Sequence, residues 1–77
     1  MVIGGDEMTK LTIKALRVNN DMNQQDVADI LGVSKPTVIK WEKGEVEPKG
    51  LVIYALAKLY NVEVEDIDIR QKFLKID

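Results

Sequence analysis

The chain has 77 residues, enough for one small domain, and its 45% hydrophobic and 31% charged residues are typical of a globular protein. It contains no cysteine and no histidine, which excludes disulfides, metal sites built on these residues, and Ser-His or Cys-His catalytic pairs. We therefore expect neither an enzyme nor a cofactor. The apolar runs are too short to cross a bilayer and residues 1–7 do not form a signal peptide, so we expect a cytoplasmic protein.

The charge is distributed unevenly along the chain. The formal net charge is −2, whereas residues 10–43 carry six basic and four acidic side chains. Nucleic-acid binding depends on positive charge, so this segment is the part of the chain suited to it. The carboxylate pair Glu65 and Asp66 is read as solvated charge at a helix end.

We divide the chain into an N-terminal arm (residues 1–9), a helical domain (10–67) and a C-terminal tail (68–77). The first predicted helix covers residues 10–19, with Thr9 as its N-cap and Ile13 on its buried face. The cluster of asparagine and aspartate at residues 19–21 forms a turn that ends it.

The next two helices have clear start and stop signals. Asn23 is the expected N-cap of the second helix, and Gly32 supplies the left-handed residue that ends it. Ser34 is the expected N-cap of the third helix and should accept a hydrogen bond from the Thr37 N–H, since Pro36 in the first turn has no N–H to donate.

A fourth helix is predicted over residues 50–60, followed by a short fifth helical turn over residues 64–67. The spacing of Ile69, Phe73 and Ile76 fits a helix, although residues 73–76 also fit a strand, and we leave both open.

The second and third helices meet the requirements of a helix-turn-helix, in which two helices cross steeply through a short turn. Ala28 is small enough for a close helix approach, and Gly32 permits the turn. Val38 and Trp41 point inward from the third helix. Trp41 could instead stack on single-stranded nucleic acid, but its helical anchor position favours core packing.

The sequence from Gln24 to Lys43 resembles the Cro-like phage-repressor helix-turn-helix family, also called the xenobiotic-response-element family. The resemblance extends over residues 10–67, and further motifs carry it: Trp41-Glu42-Lys43-Gly44, Pro48, Leu56-Ala57 and Leu59-Tyr60-Asn61-Val62. It implies an all-α, five-helix domain like that of lambda repressor, with the helix-turn-helix at the second and third helices.

The resemblance also implies roles for individual residues in binding double-stranded DNA. Residues 35–43 form the recognition helix in the major groove. The residues that match base-contacting positions are Lys35, Pro36, Thr37 and Lys40. Those that match phosphate-contacting positions are Asn23, Gln24, Thr37 and Lys43, and Lys49 could add a phosphate contact of its own. Arg17 and Glu42 match a structural ion pair between the first and third helices. Ile39 either touches a thymine methyl group or is incidental.

Two functions from different classes remain open on the sequence. The first is a sequence-specific transcriptional regulator, a repressor acting as a homodimer. Its dimer surface is expected in the region from the fourth to the fifth helix, together with the apolar side chains of the tail: Ile67, Ile69, Phe73, Leu74 and Ile76. The second is a protein-interaction module, an antitoxin or an adaptor that binds a regulator, which uses the helix-turn-helix as a scaffold. The acidic loop with Glu45 and Glu47 favours this alternative.

Overall fold

A computed structural model describes residues 10–69, in which four α-helices pack around one core and a pair of two-residue strands joins the two ends. The elements, in chain order, are β1 (Leu11–Thr12), α1 (Ile13–Asn19), α2 (Gln24–Leu31), α3 (Lys35–Lys43), α4 (Gly50–Tyr60), a 3-10 turn (Val64–Asp66) and β2 (Ile67–Asp68). Within the described range, no helix is long and apolar enough to span a membrane.

The strand pair is the main departure from the predicted all-α architecture. β1 and β2 run parallel, with Leu11 opposite Ile67 and Thr12 opposite Asp68. The domain is mostly helical, as predicted, but it has four α-helices among the described residues, because the predicted fifth helix is a single 3-10 turn. Because β2 includes Asp68, the folded part of the chain extends past residue 67.

The first helix begins three residues later than predicted. Thr12, and not Thr9, is the N-cap of α1, and its hydroxyl accepts a hydrogen bond from the Ala15 N–H at 3.1 Å. Thr9 lies outside the described residues. The predicted start at Lys10 is wrong because Leu11 and Thr12 pair with β2, and this extended backbone cannot join the helix.

The predicted ends of α2 and α3 are confirmed. Asn23 caps α2 in a reciprocal arrangement with Asp26, in which each side chain accepts from the other residue's backbone N–H. The Ser34 hydroxyl accepts from the Thr37 N–H at 3.3 Å. Gly32 and Gly44 end the two helices with φ of 74° and 78°, the left-handed region where glycine has no steric penalty.

The core gathers apolar side chains from every helix and from β2. Leu56, Val27 and Val38 are the largest fully buried side chains, and truncating Leu56 to alanine should lower the free energy of unfolding by about 2–5 kcal/mol. Ile67 is only 5% exposed. The prediction that Ile67 contributes to a dimer surface is therefore wrong, since the strand pairing turns this side chain into the monomer's own core.

A buried ion pair ties α1 to α3. Arg17 Nε lies 2.6 Å from Glu42 Oε2, and Arg17 Nη2 donates to Glu42 Oε1 at 3.1 Å. The two side chains are only 11% and 6% exposed. Hydrogen bonding to Glu42 raises the pKa of Arg17, and burial together with the Glu42 charge raises the pKa of Tyr60 to about 12. Arg17 is therefore charged, and Tyr60 neutral, at physiological pH.

We predict that removing one member of this pair destabilises the domain more than removing both. Arg17→Met or Glu42→Leu leaves a buried charge without its partner, at a cost of about 3–5 kcal/mol in the free energy of unfolding. The double variant should lose less than either single variant. Urea denaturation followed by circular dichroism measures this, with the exposed Lys14→Met in α1 as the control. Additive losses in the double variant would contradict the prediction.

Candidate nucleic-acid interface

The turn between α2 and α3 sets the geometry of the candidate interface. Ala28 is completely buried at the helix contact, and its carbonyl oxygen accepts from the N–H groups of both Gly32 and Val33, at 2.9 and 3.0 Å. These two bonds turn the chain at the end of α2, and Val33 packs against the core. Three residues therefore suffice to redirect the chain into α3, as a helix-turn-helix requires.

The outward face of α3 carries two of the four predicted base-contacting residues, together with the predicted phosphate contact Lys43. Val38 and Trp41 anchor the inner face, at 2% and 8% exposure. Pro36, Lys40 and Lys43 follow one another at spacings of four and three, which places them on one exposed stripe of the helix. An exposed helical stripe with cations is suited to enter a major groove.

Lys35 and Thr37 lie on either side of this stripe. Lys35 is exposed at the start of α3, while Thr37 is half-buried and its hydroxyl shares a 2.9 Å hydrogen bond with the Ser34 hydroxyl. Ile39 is also half-buried, which limits the apolar surface that it presents outward. Trp41 packs in the core as predicted and does not form an exposed stacking platform.

The start of α2 lies beside α3 because Glu42 holds it there. Gln24 Nε2 donates to Glu42 Oε1 at 3.0 Å, so the same carboxylate that pairs with Arg17 also binds the first residue of α2. Arg17 Nη1 further donates to the Met22 carbonyl oxygen at 3.0 Å. Gln24, predicted as a phosphate ligand, is therefore fixed in orientation by an acidic residue of the recognition helix.

The capping of α2 determines which hydrogen-bond donors at its start are available to a phosphate. The Asn23 side-chain oxygen is used by the Asp26 N–H, so Asn23 can offer only its amide nitrogen to a phosphate. The N-terminus of a helix carries a partial positive charge, and its first N–H groups point outward. The Gln24 side chain lies at this same end of the helix.

The sequence analysis missed Lys14. A surface pocket opens where α1 meets the starts of α2 and α3, and its lining is polar and mostly cationic or amide-bearing: Lys14, Arg17, Asn23, Gln24, Gln25 and Lys35. Lys14 lies one helical turn before Arg17, and that i, i+3 spacing is the signal that could have identified it. The pocket brings predicted phosphate and base ligands together with Lys14.

The structure does not bring all the predicted residues into one cluster. Lys43 is exposed at the end of α3, and Lys49 is exposed at the N-cap position of α4, where its side chain caps nothing. Between them the loop exposes Glu45 and Glu47. The positive surface around α3 therefore meets a negative loop at the end of the recognition helix.

Comparisons with known proteins agree with this architecture. Residues 13–67 match the model of a helix-turn-helix family, which is more than half of the chain. The chain is similar to the cryptic phage CTXphi transcriptional repressor RstR of Vibrio cholerae, with 42% identity over 55 residues that cover 71% of this chain and 50% of the repressor. The chain thus corresponds to only half of that relative's length. No solved structure gave a significant match.

Two archaeal relatives are matched over most of their length. An uncharacterized HTH-type transcriptional regulator of Methanocaldococcus jannaschii is 38% identical over 60 residues, 78% of this chain and 91% of the regulator. Another from Archaeoglobus fulgidus is 35% identical over 57 residues, 74% of this chain and 80% of the regulator. The match to the family model runs from the first residue of α1 to Ile67, the first residue of β2. The chain therefore belongs to the Cro-like, xenobiotic-response-element family of helix-turn-helix transcriptional regulators, which are DNA-binding proteins and not enzymes.

Proposed function

We propose that the chain represses transcription as a homodimer on a two-fold symmetric site in double-stranded DNA, with α3 in the major groove. The observation that carries this proposal is the exposed stripe of Pro36, Lys40 and Lys43, held opposite the buried side chains of α3. A cytoplasmic location follows, because a regulator works where the DNA is.

Base recognition is assigned to the N-terminal half and centre of α3. Lys35 and Lys40 donate to guanine O6 and N7, contacts worth roughly 1–3 kcal/mol of discrimination each. Pro36 makes apolar contact with a thymine methyl group. Thr37 donates to a base or a phosphate, and its single hydroxyl hydrogen is free for that contact when the Ser34 hydroxyl is the donor in the 2.9 Å bond between the two.

Phosphate contacts frame the recognition helix on two sides. On one side, Asn23 and Gln24 donate from the start of α2, and Lys14 adds a cation from α1. On the other side, Lys43 and Lys49 approach the backbone of the DNA from the end of α3 and the start of α4. Glu45 and Glu47 are exposed in the loop between these two lysines, so they weaken the attraction to phosphates on this side.

The dimer surface is assigned to the exposed side of α4 and the 3-10 turn. Leu51 is 80% exposed and Tyr54 is 54% exposed, at i, i+3 spacing on one face of α4, and Val64 is 44% exposed. Exposed apolar side chains grouped in this way mark an interaction surface. Ile69 packs against the core, and the other members of the predicted surface, Phe73, Leu74 and Ile76, lie outside the described residues.

The protein-interaction alternative is supported by the exposed acidic loop of Glu45 and Glu47. In that reading the loop binds a basic partner protein, and DNA affinity is absent even at low salt. The dependence of DNA affinity on salt concentration separates the two functions.

We predict that Lys40→Ala and Gln24→Ala impair DNA binding in different ways. Lys40→Ala should relax the preference at one base pair of each half-site, because a base contact is lost. The difference in binding free energy between the preferred base pair and the others should fall by roughly 1–3 kcal/mol at that position. Gln24→Ala should weaken binding to all sequences alike, because phosphates carry no sequence information. Selection from a random duplex library, followed by affinity measurements on the selected site, tests both.

The control for this comparison is Lys58→Ala, which removes the same charge as Lys40→Ala. Lys58 lies over the ring of Tyr54 on α4, with its Nζ 5.5 Å from the ring centroid. The Lys58→Ala variant should select the wild-type site. If Lys40→Ala selects the wild-type site too, the recognition face has been placed wrongly.

We predict that DNA affinity falls steeply with salt. With three phosphate-bound lysines per subunit, Lys14, Lys43 and Lys49, a dimer should give a slope of about −5 in log affinity against log salt concentration. Lys43→Ala should reduce the magnitude of this slope by about 2, because each dimer loses two phosphate contacts. Mobility shift or fluorescence anisotropy with a short duplex measures it. Absence of binding at low salt would favour the protein-interaction alternative.

We predict that Leu51→Glu abolishes the dimer, because it places two like charges where apolar side chains meet. Sedimentation should show a monomer, and affinity for a two-half-site duplex should fall to that for a single half-site. Val18→Glu is the matched control, since Val18 is also an exposed apolar residue (53%) but lies on α1. Dimers that survive Leu51→Glu would exclude this face.

A further inference from the structure

The polar pocket where α1 meets the starts of α2 and α3 is large enough for more than a contact with the DNA backbone. Its volume is about 380 Å³, within the range of roughly 300–1,000 Å³ that small-molecule sites occupy. No acidic side chain lines it, and the lining consists only of cations and amides: Lys14, Arg17, Asn23, Gln24, Gln25 and Lys35. Such a lining is suited to an anion.

The charge offered to an occupant is that of two lysines. The Arg17 charge is compensated by its ion pair with Glu42, whereas Lys14 and Lys35 are exposed and have no ion pair among residues 10–69. Each phosphate diester of DNA carries one negative charge. A phosphate monoester carries about 1.5 to 2 negative charges at neutral pH. A doubly charged phosphate therefore matches the two lysines more closely than the DNA backbone does.

The lining also keeps hydrogen-bond donors that the described part of the chain does not use. Arg17 is nine-tenths buried, and its guanidinium has five N–H groups, of which three are bonded within the described residues. The side-chain amides of Gln24 and Gln25 each donate once there, so each keeps a second N–H. The three terminal oxygens of a phosphate group are strong acceptors for such donors.

We propose that this pocket binds a doubly charged phosphate group, as the free ion or as the monoester of a small molecule, and that the bound ligand lowers DNA affinity. The second step rests on the proposed DNA contacts. The ligand covers Lys14, Asn23 and Gln24, which the backbone of the DNA requires, and it holds Lys35 away from the base edge. A small phosphorylated molecule then releases the regulator from its site.

Calorimetric titration of the full chain without DNA tests the binding step by itself. Ribose 5-phosphate should bind, whereas ribose and the singly charged diester dimethyl phosphate should bind at least roughly tenfold more weakly. Lys14→Ala and Lys35→Ala should each weaken ribose 5-phosphate binding roughly tenfold, because a hydrogen bond between two charged groups is lost. Lys58→Ala, which removes an exposed lysine of α4, is the matched control and should bind like the wild type.

Inorganic phosphate distinguishes the two sources of the phosphate group. Binding of ribose 5-phosphate that is tighter than binding of inorganic phosphate would identify a monoester as the ligand, and equal binding would identify the free ion. Both results support the pocket. Wild-type affinity in both Lys14→Ala and Lys35→Ala, or equal binding of dimethyl phosphate, would overturn it.

Competition for DNA at constant ionic strength tests the regulatory step. Ribose 5-phosphate should lower the DNA affinity of the wild type, and it should lower that of Lys14→Ala much less, each relative to its own affinity without ligand. Succinate, a dianion without a phosphate group, controls for screening by salt. Ligand binding that leaves DNA affinity unchanged would overturn the regulatory step. A chain without any DNA affinity would instead contradict the proposed function, and the titration without DNA would still decide the pocket.

Discussion

The arrangement of the interface depends on the carboxylate of Glu42. Its side chain is 6% exposed and accepts three hydrogen bonds, two from Arg17 on α1 and one from Gln24 at the start of α2. A buried ion pair of this kind adds little to stability, because the loss of hydration offsets most of the attraction. Its consequence is geometric: three helices are fixed relative to one another at the point where two of them would meet the DNA.

The same carboxylate explains how an acidic chain presents a basic surface. The net charge is −2, yet the Glu42 charge is neutralised by Arg17 inside the protein and does not reach the solvent. The exposed stripe of α3 therefore keeps the full charge of Lys40 and Lys43. The local electrostatic field around α3, rather than the net charge, governs the approach of a polyanion such as DNA. Glu45 and Glu47 in the following loop limit the area of this positive field.

The sequence analysis succeeded where structure depends on near neighbours along the chain. The caps at Asn23 and Ser34 and the turn at Gly32 each involve residues no more than four positions apart. It failed where partners are distant. Leu11 pairs with Ile67, and no local signal distinguishes such a two-residue strand from the first turn of a helix. The bond between Gln24 and Glu42 spans 18 positions and was equally out of reach, although each residue had been assigned a role by itself.

The burial of Ile67 changes the reasoning about the apolar residues near the end of the chain. As members of a free tail, Ile67 and Ile69 would add to a dimer surface. In the structure the strand pair draws Ile67 into the core and places Ile69 against it, so these two residues complete the monomer. Among the described residues, Val18, Ile30 and Val46 are exposed apolar side chains at separate places on the surface. Leu51 and Tyr54 of α4, with Val64 of the 3-10 turn, are the exposed apolar side chains that belong to adjacent elements, and Leu51 is the most exposed of them all. The apolar surface that remains once Ile67 is buried is therefore centred on α4 and not on the end of the chain.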